Sequence, residues 1–154
     1  MLLLTFRAGE NLYAIDARRV AEVVPLVGLR KVPQTPDYLA GLLGYRGGAV
    51  PVVDFGVLIG GATGRETLGT RLILTEFTTA DGQARLIGVV AEDVIHVVVV
   101  KADAFVSRPM RIEEAPYLGA LVRIDEGIAQ LVAPDKLLSE RVQDALYGGA
   151  AEPG

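Results

Sequence analysis

Gly41-Leu42-Leu43-Gly44-Tyr45-Arg46-Gly47-Gly48-Ala49-Val50-Pro51-Val52-Val53-Asp54 is two short apolar runs set back to back across a glycine pair. Gly47 and Gly48 permit the positive φ angles that a tight reversal needs, so Gly41 to Arg46 and Ala49 to Val53 are expected to pair as an antiparallel hairpin. Asp54 then opens a short apolar turn that runs to Ile59. A chain that spends its apolar residues in units of this size builds sheets rather than a helical bundle.

The same pattern recurs on both sides. Leu2, Leu4 and Phe6 alternate with Leu3, Thr5 and Arg7, and the Ala8 to Asn11 cluster turns the chain into a second run, Leu12 to Ile15. Asp16 is placed to cap one helical turn over Ala17 to Arg19, after which Val20 to Val24 reads as a strand ended by Pro25. Downstream, Leu72 to Phe77 and Arg85 to Ala91 flank the turn signal Asp81-Gly82, and Gly119 to Ile124 and Gly127 to Val132 flank Asp125-Glu126. Ile95 to Val100 is apolar except for His96, the composition of a strand buried on both faces, and is expected at the centre of a sheet. Gly60 to Gly69 reads as a small-residue connector, and Lys101 to Pro116 as irregular.

One helix is expected, entered at Pro134 and ended by Gly148-Gly149, with Leu137, Leu138, Val142, Ala145 and Leu146 on its apolar face. The hairpin begun at Gly41 and its Asp54 turn are echoed by the hairpin begun at Gly119, followed by Asp135 and Leu137-Leu138. Two similar small barrels over a common apolar core would explain the echo, and so would coincidence between two hairpins. The expected fold is mostly β, one domain over residues 1–148, with 149–154 a frayed tail.

Composition narrows the function. The 154 residues are 51% hydrophobic, yet no apolar run approaches the ~20 residues that span a bilayer, so no membrane insertion is expected. Twenty valines and eight isoleucines, with 18 glycines and 8 prolines between them, suit short strands and turns. A net charge of −4 with scattered basic residues lacks the clustered face that a nucleic-acid backbone requires. No cysteine is present, which removes thiol catalysis, and Met1 to Phe6 has no basic leader, so a reducing cytoplasm is expected.

Catalytic signatures are thin. Ser107, Ser139 and the lone His96 form no nucleophile elbow, and one histidine cannot make a histidine metal cluster. The pairs Glu92-Asp93, Glu113-Glu114 and Asp125-Glu126 fall at strand ends and turns and read as solvated charge. Gly60 to Arg65 lacks the Gly-Lys-Ser/Thr ending of a phosphate loop. No cofactor and no metal are expected. Pro33, Pro36, Tyr38, Gly41, Arg46, Pro51 and Asp54 instead combine rigid turns with one arginine, as a docking surface does. Arg46 either offers its five-donor fork to a partner carboxylate or pairs internally with Asp54.

Val20-Ala21-Glu22-Val23, the run Val32 to Gly41, and Tyr45 to Asp54 resemble the CheW family of chemotaxis coupling proteins. The resemblance continues through Arg71 to Leu74, Gly88-Val89-Val90, Tyr117-Leu118-Gly119 and Lys136-Leu137-Leu138, and so covers nearly the whole chain in order. It implies two five-stranded SH3-like barrels around a shared core. It also implies a non-enzymatic adaptor between the cytoplasmic tip of methyl-accepting chemoreceptors and the regulatory domain of a CheA-type histidine kinase. A regulatory module that binds the kinase alone is the alternative.

Carried over by position, Val20, Gly41 and Arg46 match family residues implicated in coupling, and Glu22 matches a neighbouring acidic position. On this basis Val20 would give an apolar contact, Gly41 room for a close helix, and Arg46 charged hydrogen bonds. Gly44 stands where the family often has asparagine, and Glu92 where it often has aspartate. The compact chain also resembles CheW-like proteins of accessory, Wsp-type pathways.

Overall fold

The computed structural model describes residues 1–60, 70–108 and 112–148. The connector over 61–69 and the tail over 149–154 lie outside the described residues. Ten strands form two five-stranded sheets. The first holds β1 (Leu2–Ala8), β2 (Asn11–Asp16), β8 (Asp93–Val99), β9 (Leu118–Ile124) and β10 (Gly127–Val132) in the order β8-β1-β2-β10-β9. The second holds β3 (Val20–Pro25), β4 (Leu39–Tyr45), β5 (Gly48–Asp54), β6 (Arg71–Thr78) and β7 (Ala84–Ala91) in the order β3-β6-β7-β5-β4.

The echo between the two hairpins is a true repeat of topology. In each sheet a hairpin (β4-β5 or β9-β10) lies parallel to the inner strand of a second hairpin, Val52 beside Gly88 in one and Ala129 beside Leu12 in the other. Both hairpins are anchored alike: Asp54 N–H donates to the Tyr38 carbonyl at 2.7 Å, and Ala133 N–H to the Tyr117 carbonyl at 2.8 Å. The second sheet is built from one continuous stretch, residues 20–91, inserted between the strands of the first.

Leu4, Phe6, Tyr13 and Ile15 from the first sheet pack with Ile73, Ile87 and Val89 from the second, and with Phe55 just after β5, in one shared core. Phe55 is its hub, its ring 5.5 Å from Phe6, 4.7 Å from Tyr13 and 5.9 Å from Tyr117 in edge-on contacts. Each barrel keeps a smaller core of its own, around Leu3, Val122 and Ala129 in one and Val52, Leu72 and Leu74 in the other. Neither small core is large enough to hold a barrel alone, which is why the shared face is aromatic and fully buried.

Polar staples cross the seam. Arg19 clasps Asp135, with Nη2 and Nη1 at 2.5 and 3.2 Å from its oxygens, and Asp135 also accepts from Thr78 N–H at 2.7 Å. Buried Gln143 accepts from Ala80 N–H at 2.8 Å and donates to the Leu138 carbonyl at 3.0 Å. Arg19 foremost, with the Thr78 N–H assisting, holds the Asp135 carboxyl below the ordinary carboxylate value.

Three local expectations are corrected. The run containing His96 is not central: among the described residues β8 is an edge strand paired with β1 alone, and Val97 and Val99 are 52% and 74% exposed. Val98 packs against the first barrel's core while Val97 and Val99 stay exposed, and His96 Nε2 lies 2.8 Å from Glu126 Oε1. The C-terminal helix is broken: Pro134–Lys136 makes a 3-10 turn, and the α-helix proper, α2, is Glu140–Tyr147. Ser139 is extended and its Oγ accepts from Val142 N–H at 3.2 Å, so it caps a new helix instead of continuing the first turn, and Ala145 is exposed. The β4-β5 reversal uses Arg46 and Gly47, at φ 48° and 79°, one position earlier than the glycine pair implies.

Candidate functional site

The candidate residues Val20, Glu22, Gly41 and Arg46 all belong to the second barrel, on β3, on β4 and in the β4-β5 turn. β3 and β4 are the two edges of its sheet, and the barrel closes where they approach. Arg30 and Leu42 bridge the gap by exchanging two backbone hydrogen bonds, 2.8 and 3.0 Å long. Further along, Tyr45 Oη donates to Glu22 Oε2 at 2.5 Å. That hydrogen bond, foremost among its surroundings, holds the Tyr45 phenol above its ordinary value, so the donor keeps its proton at neutral pH.

Arg46 stands at the exposed tip of the hairpin with its guanidinium carbon 5.2 Å from the centre of the Tyr45 ring. Asp54 lies elsewhere, buried at the start of α1 (Phe55–Leu58), where its Oδ1 accepts from Val57 N–H at 3.3 Å. The ion pairs among the described residues do not join Arg46 to Asp54. Of the two alternatives for Arg46, the outward-facing fork is the one this geometry matches.

The other three residues divide. Glu22 is exposed and joins Arg46 through the Tyr45 side chain that both touch. Val20 is half-buried and packs on the shared core, with its edge turned toward solvent. Gly41 is buried at φ 149°, and a Cβ there would lie 2.7 Å from the Arg30 carbonyl oxygen. The space that Gly41 leaves is therefore filled by the chain's own Leu29–Arg30 segment. It acts by letting the barrel close, not by making room for a helix.

Two groups escaped sequence reasoning. Tyr45 is the physical link between Glu22 and Arg46, and the signal for it is adjacency to Arg46 in the expected hairpin. The exposed apolar row of Leu2, Val97 and Val99 lies on one face of β1 and β8, because Leu2 opposes Val99 in register. No metal-binding group of three or more ligating side chains occurs among the described residues, and none of their helices is long and apolar enough to cross a membrane.

The CheW-like domain family matches residues 2–142. The chain belongs to the CheW family. CheW of Treponema pallidum is 30% identical over 90% of this chain and 82% of its own length. CheW of Klebsiella aerogenes is 30% identical over 88% of this chain and 80% of its own. In fold, the scaffolding protein TtCheW of Thermoanaerobacter tengcongensis superposes with a TM-score of 0.76 at 22% identity, covering 90% of this chain and 87% of that one. The CheW-like repeat of two five-stranded sheets accounts for the tyrosine-anchored hairpins, since Tyr38 and Tyr117 hold equivalent places in them.

Proposed function

We propose that this CheW-like chain is a non-enzymatic adaptor that joins methyl-accepting chemoreceptors to a CheA-type histidine kinase in the cytoplasm. Family membership supports the class of partner. The observation that carries the reading is the Glu22–Tyr45–Arg46 cluster on the second barrel, a charged group fixed by a hairpin and left facing solvent.

Its chemistry suits recognition. Arg46 is a cation whose planar fork lies against the Tyr45 ring and keeps donors for a carboxylate. Glu22, an acceptor already bound to Tyr45, adds opposite charge beside it, so the face discriminates between orientations of a partner. Val20 adds an apolar margin, and Gly41 sets the barrel closure on which the cluster stands. Signal passes through relative position, with no bond made or broken.

The test is titration of the protein against the kinase regulatory domain and, separately, the receptor's cytoplasmic hairpin, with Arg46→Glu beside the parent. Saturable binding of both by the parent, and loss of at least one by a folded Arg46→Glu, is the expected result. Binding of the kinase alone would replace this reading with a kinase-only regulatory module.

A further inference from the structure

A second arginine opens onto the same groove as Arg46. The cleft, about 540 Å³, is lined by Arg46 of the β4-β5 hairpin, Arg85 of β7 and Tyr147 at the end of α2. Arg85 lies over Tyr147, its guanidinium carbon 4.1 Å from the ring centre, as Arg46 lies over Tyr45. A guanidinium laid on an aromatic face keeps its N–H edge free for a planar acceptor. Neither arginine has a carboxylate partner among the described residues. Ala21, Ala49 and Ala84 line the space between them, and such short side chains admit the close approach of a rod-like element.

Tyr147 serves as a platform. Its hydroxyl is buried without a hydrogen-bond partner among the described residues, so the ring is held by packing and by Arg85, not by its polar tip. Glu76 also lines the groove and repels a carboxylate, so an incoming carboxylate is drawn to the arginines instead.

We propose that this groove clamps a carboxylate on an acidic helix of the receptor partner between Arg46 and Arg85, which makes Arg85 a second anchor of the receptor contact. The inference rests on the adaptor reading above and adds a residue and a partner chemistry to it.

The experiment is titration of the full chain with the receptor's cytoplasmic hairpin and with the kinase regulatory domain, using the parent, Arg46→Glu, Arg85→Glu, Arg85→Lys and Tyr147→Phe, each checked for an unchanged melting profile. Arg85→Glu is expected to weaken receptor binding by about tenfold or more and to flatten its salt dependence, with kinase binding unmoved. Arg85→Lys should fall between, because it keeps the charge and loses the planar fork, and Tyr147→Phe should bind as the parent does. If Arg46→Glu loses the receptor and Arg85→Glu does not, the clamp is wrong and the adaptor reading stands. If Arg85→Glu weakens the kinase instead, the occupant is wrong. If the parent binds no receptor, the adaptor reading fails and the clamp fails with it.

Discussion

Arg19 and Asp135 stand 116 residues apart in sequence and meet in a two-pronged ion pair, 2.5 and 3.2 Å, at the seam of the two barrels. Thr78 N–H completes the junction, so one carboxylate ties the start of β3, the end of β6 and the turn after β10. Both side chains are about a third exposed, 31% and 37%, and solvent screening keeps the contribution modest.

Asp135→Ala should therefore destabilise the protein by about 1–2 kcal/mol, a few degrees of Tm, measured by thermal or denaturant unfolding. The acid limb checks the cause. Because the folded protein holds the Asp135 carboxyl below its unfolded value, the stabilisation is fully present above the unfolded value and is lost as pH falls through the folded one. Asp16, held down chiefly by Arg18, adds in the same direction. Asp135→Asn should lose stability at neutral pH and show a shallower decline below about pH 4 than the parent.

Gly41→Ala should cost about 1–3 kcal/mol, since its Cβ meets a backbone carbonyl at 2.7 Å and its φ disfavours any L side chain. Gly44, three residues on in the same strand, has nothing within 4 Å of an added Cβ. Gly44→Ala should leave the denaturant midpoint within about 0.5 kcal/mol of the parent. Equal losses at both positions would remove the special role of Gly41 in barrel closure.

Val97→Ser and Val99→Ser should be nearly neutral for stability, within about 0.5 kcal/mol each, because these side chains are half or more exposed on an edge strand. The same change at Leu4, their buried neighbour in register with Val97, should cost several-fold more. Chemical denaturation of the three variants side by side decides it.

Two hairpins were legible because each announces itself locally: Asp81-Gly82 between β6 and β7, and Asp125-Glu126 between β9 and β10, are turn chemistry that needs no tertiary context. Asp16 was legible as a cap for the same reason and accepts the expected backbone N–H, while Asp54, legible as the start of a turn, also proves to cap it. The place of β8 was not legible. An apolar run reads alike at the centre and at the edge of a sheet, and only the pairing of β1 with both β2 and β8 shows which side lacks a neighbour. Ser139 was hidden similarly, since Leu137, Leu138 and Val142 keep helical spacing across the break that it caps. In the candidate site, Val20 and Glu22 came from family position and Gly41 and Arg46 from local pattern as well, whereas Tyr45 and Arg85 depend on which side chains the closed barrel brings face to face.

The most direct measurement of the adaptor claim is a three-component capture, with the kinase regulatory domain immobilised, the receptor's cytoplasmic hairpin in solution, and the chain added or withheld. The account predicts that the hairpin is retained only when the chain is present, and that Arg46→Glu lowers its retention. Equal retention without the chain, or displacement of the chain from the kinase by the hairpin, would contradict it.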